Sequence, residues 1–251
     1  MNWKNMWEAF IDTMSKPYYQ NLVLKGLGNT VMVAVLGLII GIVIGTLIAI
    51  VKVAPKYKLI MRILDKICSV YVAIFRGTPM VVQLLITYYV LLPAFGAKGV
   101  DALIVGVAVF GMNSGAYVSE IMRGGLNSID HGQMEAGRAL GLSYSTTMMK
   151  IVIPQAIKNI LPMIGNEFIS IIKETSILSF ITVCDIYTAL INYVAANKYE
   201  WIIPYIALAL IYIVLVLGIT LLIKLMEKAL AKSDKSNGYS RKKVRANKEL
   251  F

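Results

Sequence analysis

Long runs of apolar residues, broken by short charged stretches, set the pattern of this chain. A helix needs about 20 apolar residues to cross the hydrocarbon core of a bilayer. Residues 26–51 and 201–223 meet that requirement without a single charged side chain, and residues 102–119, ending at Glu120 and Arg123, are uncharged and just long enough. Two further stretches read as spans of lower apolarity. Residues 67–92 contain Arg76, Gly77 and Pro79, and residues 166–196 contain Glu167, Lys173, Glu174 and Asp185. A charge inside hydrocarbon is tolerated where it faces protein or a water-filled path, so these two segments are predicted to line the interior. Arg76-Gly77-Thr78-Pro79 is expected to loosen its helix, because proline removes a backbone donor. The prediction is an all-α membrane protein with five spans.

The remaining pattern places the ends. Trp3, Met6, Trp7, Phe10, Ile11 and Met14 recur at steps of three and four, giving residues 1–20 one apolar face suited to the headgroup level. Glu8 and Asp12 interrupt this segment, which argues against a signal peptide. Gly37, Gly41 and Gly45 form a small-residue ladder that permits close approach between membrane helices. Residues 21–227 then form one membrane domain, and the lysine- and arginine-rich residues 228–251 a solvated basic tail. With five spans, most lysines and arginines fall on one side, Lys98 and Lys198 being among the few on the other. The positive-inside rule puts that basic side, with the C-terminus, in the cytoplasm and the N-terminus outside.

Composition supports a bilayer as solvent: 58% of the 251 residues are hydrophobic and 16% charged, against roughly 45–50% apolar in soluble domains. The net charge of +11 lies between apolar runs rather than in a groove with exposed aromatics, which favours anionic lipid and topology over nucleic acid. Cys68 and Cys184 sit in apolar surroundings without companions, and His131 is the one histidine. Neither a metal site nor a disulfide framework nor a Ser-His-Asp arrangement is indicated, and no catalytic residue is assigned.

One polar stretch, residues 123–162 between the third and fourth spans, is too patterned for a connector. Gly132 to Gly141 reads as a short helix with a glycine at its left-handed end. Ser143 or Ser145 can cap a second helix, and Pro154 is expected to disrupt that helix or mark its end. Glu135-Ala136-Gly137, then Gly141, then nine residues to Ile151-Val152-Ile153-Pro154, resembles the EAA loop of ABC importer permeases, with Gly137 in place of the second alanine and Ile153 in place of leucine. Phe75-Arg76-Gly77-Thr78-Pro79 with Gln83, then Asn113, Ala116-Tyr117, Glu120 and Arg123-Gly124-Gly125, and then Pro154-Gln155-Ala156, Pro162, Asn166 and Lys173-Glu174-Thr175-Ser176, are similar to the polar amino acid branch of that family. The similarity covers residues 20–225.

That resemblance implies the type I importer permease fold, with the loop acting as a coupling helix docked on a cytoplasmic ATPase. Glu135, Ala136, Gly137, Gly141 and Pro154 are its expected coupling residues. It further implies a second permease subunit, a copy or a paralogue, and an extracytoplasmic amino acid-binding protein. The chain has no G-x-x-x-x-G-K-[ST] loop, so ATP and its magnesium are expected on the partner ATPase, with no cofactor in this chain. The path candidates are Arg76, Thr78, Asn113, Tyr117, Glu120, Lys173, Thr175 and Ser176. A cation at Arg76 suits a substrate carboxylate, and equally a structural pair with Glu120, Glu167 or another acid. The other candidates, with Glu174, can line the path or satisfy one another across helices. A membrane-embedded enzyme lacks a plausible constellation here, and a carrier working alone would commonly show an inverted repeat, which is not visible.

Overall fold

The computed structural model describes residues 3–97, 99–196 and 201–248, so Lys98 and Lys198 of the charge argument lie outside the described residues. Every regular element among these residues is helical. Helix α1 (Trp3–Met14) turns at Ser15 and Lys16 into α2 (Pro17–Val53), whose first-turn proline gives up a donor that no helix uses at that position. Then follow α3 (Leu59–Gly77), α4 (Met80–Ala94) and α5 (Ala102–Asn127), with Asp101 capping α5 through a 2.7 Å bond from Leu103 N. Helix α6 (His131–Ala139) and the short α7 (Tyr144–Thr147) lead through a π-turn (Met148–Val152) into α8 (Ile153–Glu174). A 3-10 segment (Thr175–Ile181) and a π-helical segment (Thr188–Ala195) precede α9 (Ile202–Lys248).

Three of these helices are long and apolar enough to cross a membrane, α2, α5 and residues 202–229 of α9, and the pair α3 and α4 counts as a fourth if read as one bent span. The 22 residues of α8 would reach roughly 33 Å at 1.5 Å per residue, enough for the fifth, although Lys158, Glu167, Lys173 and Glu174 lower its apolarity.

The framework is the pairing of α2 with α5. Gly37, Gly41 and Gly45 meet Phe110, Ser114 and Val118, while Gly111 and Gly115 receive Ile40 and Ile44. The numbers rise together, so the two helices run parallel and their last turns share one end of the bundle. At Gly45 an added Cβ would stand 2.7 Å from Val118 Cγ1 and 2.8 Å from the Ser119 backbone nitrogen. Above this seam Val33, Leu84, Phe110, Ile172 and Leu178 form the main core.

Three expected features are corrected. The span over residues 67–92 is two helices bent by 105° between Gly77 and Met80, because Pro79 has no donor and Thr78 is extended. The span over residues 166–196 is not one helix, since α8 ends at Glu174. The hydroxyls of Thr175, Ser176 and Ser179 donate to carbonyls three residues back, at 2.7, 3.3 and 2.8 Å, which favours the tighter 3-10 turn, and Thr182 then takes a left-handed φ of +64°. Pro154 does not end the second helix: the disruption is a π-turn over Met148–Val152, after which the chain continues as α8 with Pro154 in its first turn.

At the end of the bundle opposite α6, Asp185 is fully buried and caps the segment that follows it, accepting from Thr188 N at 3.0 Å and Thr188 Oγ1 at 2.6 Å. Asn29 donates to Cys184 O at 2.9 Å, and Thr30 Oγ1 accepts from Ile186 N at 3.1 Å, so this segment is sewn to α2. Helix α1 packs here through Phe10 and Met14, leaving Trp3, Trp7 and Ile11 exposed. Helix α9 runs on as far as Lys248, so the tail is helical over residues 228–248 despite Ser233, Asn237 and Gly238.

Candidate functional site

The polar segment between α5 and α8 folds as a capped helix-turn-helix. Asp130 caps α6 by accepting from Gly132 N at 2.9 Å. At its other end Leu142 N bonds Gly137 O at 3.1 Å and Gly141 N bonds Arg138 O at 3.0 Å, the paired closure of a Schellman turn, with Gly141 at φ +81°. A side chain at Gly141 would have space but a strained backbone. Ser143 then caps α7 through Thr146 N at 3.1 Å.

Gly137 explains its own departure from alanine. The buried Thr147 of α7 lies so close that a Cβ on Gly137 would stand 2.4 Å from its Cγ2. Glycine lets α6 and α7 seat on one another. Glu135, Ala136 and Gly141 face outward, as do Leu140 at 81% exposure and Met149 at 64%, and Pro154 is exposed beside them. The element therefore exposes small residues, one acid and two large apolar side chains on its surface. Leu140 and Met149 were not among the sequence candidates, and a leucine beside the turn glycine in an otherwise polar helix is the signal that marks them.

Of the membrane candidates, the structure brings Arg76, Tyr117 and Glu120 together and adds Arg123. Glu120 Oε2 lies 2.7 Å from Arg123 Nη2 and 3.6 Å from Arg76 Nη1, and the Arg76 guanidinium stands 5.6 Å from the Tyr117 ring centroid. The Arg76 side chain keeps 45% exposure against 21% for Glu120. Arg76 is thus tethered loosely, while the carboxylate belongs mainly to Arg123, one turn away on its own helix.

Thr78 and Asn113 do a different job, and Gln83 joins them. The Gln83 amide nitrogen sits 2.9 Å from Phe75 O, 3.0 Å from Thr78 O and 2.8 Å from Thr78 Oγ1, meeting carbonyls that the break in the helix strands. Asn113 Nδ2 donates to Gln83 Oε1 at 2.9 Å and, more weakly, to Phe75 O at 3.4 Å. This network holds the bend against α5. Gln83 follows the proline by four residues, which puts it one turn into α4, close enough to reach back over the break.

Lys173, Thr175 and Ser176 lie at the end of α8, apart from the Arg76 cluster. Thr175 is fully buried with its hydroxyl on Ile172 O, and Lys173 and Glu174 are exposed. Among the described residues, no group of histidine, cysteine and carboxylate side chains is arranged to hold a metal.

Comparison with known proteins agrees with this arrangement. A family model described as the binding-protein-dependent transport system inner membrane component matches residues 37–232. The arginine transport system permease protein ArtQ of Bacillus subtilis is 39% identical over 84% of this chain and 94% of its own length. A putative glutamine transport system permease protein GlnP of Rickettsia bellii is 37% identical over 83% and 92%. Among solved structures, an amino acid ABC transporter crystallised with histidines is 38% identical, covers 86% of this chain and 97% of its own, and superposes with a TM-score of 0.78. The inward-facing MetNI methionine ABC transporter, at 17% identity, a TM-score of 0.69 and 85% and 98% coverage, shares the fold.

Proposed function

The chain belongs to the family of binding-protein-dependent transport system inner membrane components, and from that premise we propose that it is the permease subunit of an ABC importer for polar amino acids. The observation that carries the reading is the rigid, doubly capped helix-turn-helix at the end of α5, which presents Glu135, Ala136, Leu140 and Gly141 outward. Such an element passes motion as a body: a push on α6 reaches α8 through the seated Gly137 and Thr147, and α5 through Asn127.

An ABC ATPase is the partner that supplies the push. The relatives' names support amino acids as the solute, and the assembly we propose contains a second permease subunit and an extracytoplasmic binding protein. Five spans make too thin a shell to enclose a path alone. In this reading the α6 end faces the cytoplasm, where the lysines and arginines gather, and Arg76 receives the solute carboxylate. ATP and magnesium are bound by the ATPase, and the solute crosses chemically unchanged.

The test is reconstitution with the cognate ATPase and binding protein in liposomes. We expect uptake of a polar amino acid only with ATP present. Glu135→Lys should leave the helices folded and the ATPase active while uptake falls to background. Wild-type uptake by that variant removes the coupling assignment, and uptake driven by an ion gradient without ATP removes the importer reading.

A further inference from the structure

Below the bend, toward the α6 end, three helices share a charged seam that coupling does not explain. Lys56 Nζ meets Asp65 Oδ2 at 2.7 Å, Lys52 Nζ reaches Ser69 Oγ at 3.3 Å, and Arg123 and Arg76 share Glu120. Lys52, Lys56, Asp65, Ser69, Glu120 and Arg123 line one open cavity of about 290 Å³. Helix α3 shows which way it opens. Ile63, Ile67, Val70 and Ile74 form an exposed apolar stripe fit for hydrocarbon. Asp65, Ser69 and Arg76 fall on the order of half a turn away, at 100° per residue. A half-exposed charged stripe opposite the lipid stripe needs water in front of it.

We propose that this seam is the exit half of the solute path and that it is built for a zwitterionic head group, one cation and one carboxylate held close together. The proposal rests on the amino acid permease reading above. Both signs occur along the seam, with four cations, Arg76, Arg123, Lys52 and Lys56, to two acids, Glu120 and Asp65. A guest carboxylate entering at Arg76 replaces the looser 3.6 Å contact with Glu120, which keeps Arg123. The guest ammonium takes Glu120 and then Asp65, while its carboxylate moves to Arg123 and Lys52. Each step exchanges one partner for another along a water-facing surface. A guest with a lone cation meets surplus positive charge, and a lone anion binds without a partner for the seam's acids.

The experiment uses the complete importer in liposomes, with Cys68 and Cys184 replaced by alanine and Ser69→Cys introduced. We expect water-soluble thiol reagents of either charge to label position 69 from the ATPase side, saturating amino acid to slow the labelling, and a lipid-confined maleimide to react poorly. In parallel, Lys52→Gln should lower turnover about tenfold, equivalent to ~1.4 kcal/mol in the barrier. The half-saturating concentration of loaded binding protein and the melting temperature should stay unchanged, and Lys52→Arg should restore the rate. Labelling by the lipid-confined reagent alone, no labelling because a second copy covers the face, or normal turnover in Lys52→Gln overturns the seam. A wild-type complex that takes up no amino acid with ATP overturns the underlying reading instead.

Discussion

The α2–α5 seam and the α3–α4 bend hold the same bundle together by opposite means. Along the seam glycines on each helix admit side chains of the other, so the contact is dry, parallel and set by shape. At the bend the helix is broken, and Gln83, Asn113 and Thr78 cover the stranded carbonyls with hydrogen bonds. The seam tolerates no change of size. The bend tolerates size but not loss of a partner, and it leaves Arg76 half-exposed at its edge. On the permease reading we propose, the difference separates frame from path: shape complementarity sets the frame, and polar groups with alternatives to one another stand beside the proposed path.

The contrast can be broken at two points, and the helix-turn-helix offers two smaller tests beside it. The largest effect is expected from Gly45→Leu, which drives side-chain atoms into Val118 and the Ser119 backbone; at the upper end of the ~1–3 kcal/mol of overpacking, it should abolish recovery of monodisperse protein in detergent. Gln83→Ala comes next. It strips partners from Phe75 O, Thr78 O and Asn113, at about 1–2 kcal/mol given the half-exposed site, and should lower the melting temperature and the uptake rate together. Wild-type behaviour in Gln83→Glu, which keeps the acceptor for Asn113 and loses the amide donors, would show that those donors do not matter there. Gly141→Ala puts a Cβ on a left-handed residue, at a cost of about 1 kcal/mol. Uptake should drop while thermal stability of the membrane helices barely moves. Asp130→Ala removes one exposed cap, worth a few tenths to ~1 kcal/mol, and should be visible only as a modest weakening of ATPase binding in titrations.

What the sequence made legible was local. Apolar run length marked the crossings, and the glycine ladder marked a close contact. The spacing from Glu135 to Pro154 marked the coupling element. The partner of that ladder could not be read, because α5 lies some seventy residues further along the chain and its own glycines sit among ordinary apolar residues. The bend was half visible: Pro79 announced a break, but 105° depends on Asn113 reaching Gln83 across thirty positions. For Arg76 the sequence left a structural pair and a solute contact open together, and the loose tie to Glu120 accommodates both. Asp185 reads as an intramembrane charge only if residues 166–196 form one span. It is an N-terminal cap whose neighbours, Thr30 and Asn29, are more than 150 residues away in sequence.

That clamp fixes how the far end of the molecule can respond to the near one. Residues 184–186 are fastened to α2 through Asn29 and Thr30, whereas α8 is continuous at its other end with the helix-turn-helix. Between them lie only the 3-10 turns and the left-handed Thr182. Leu178 and Ile181 in these turns are fully buried in the main core with Ile171 and Ile172 of α8. In the coupling we propose, any difference in movement between α8 and the clamped segment falls on those few residues, which makes the stretch after Glu174 the knee between two fastened parts.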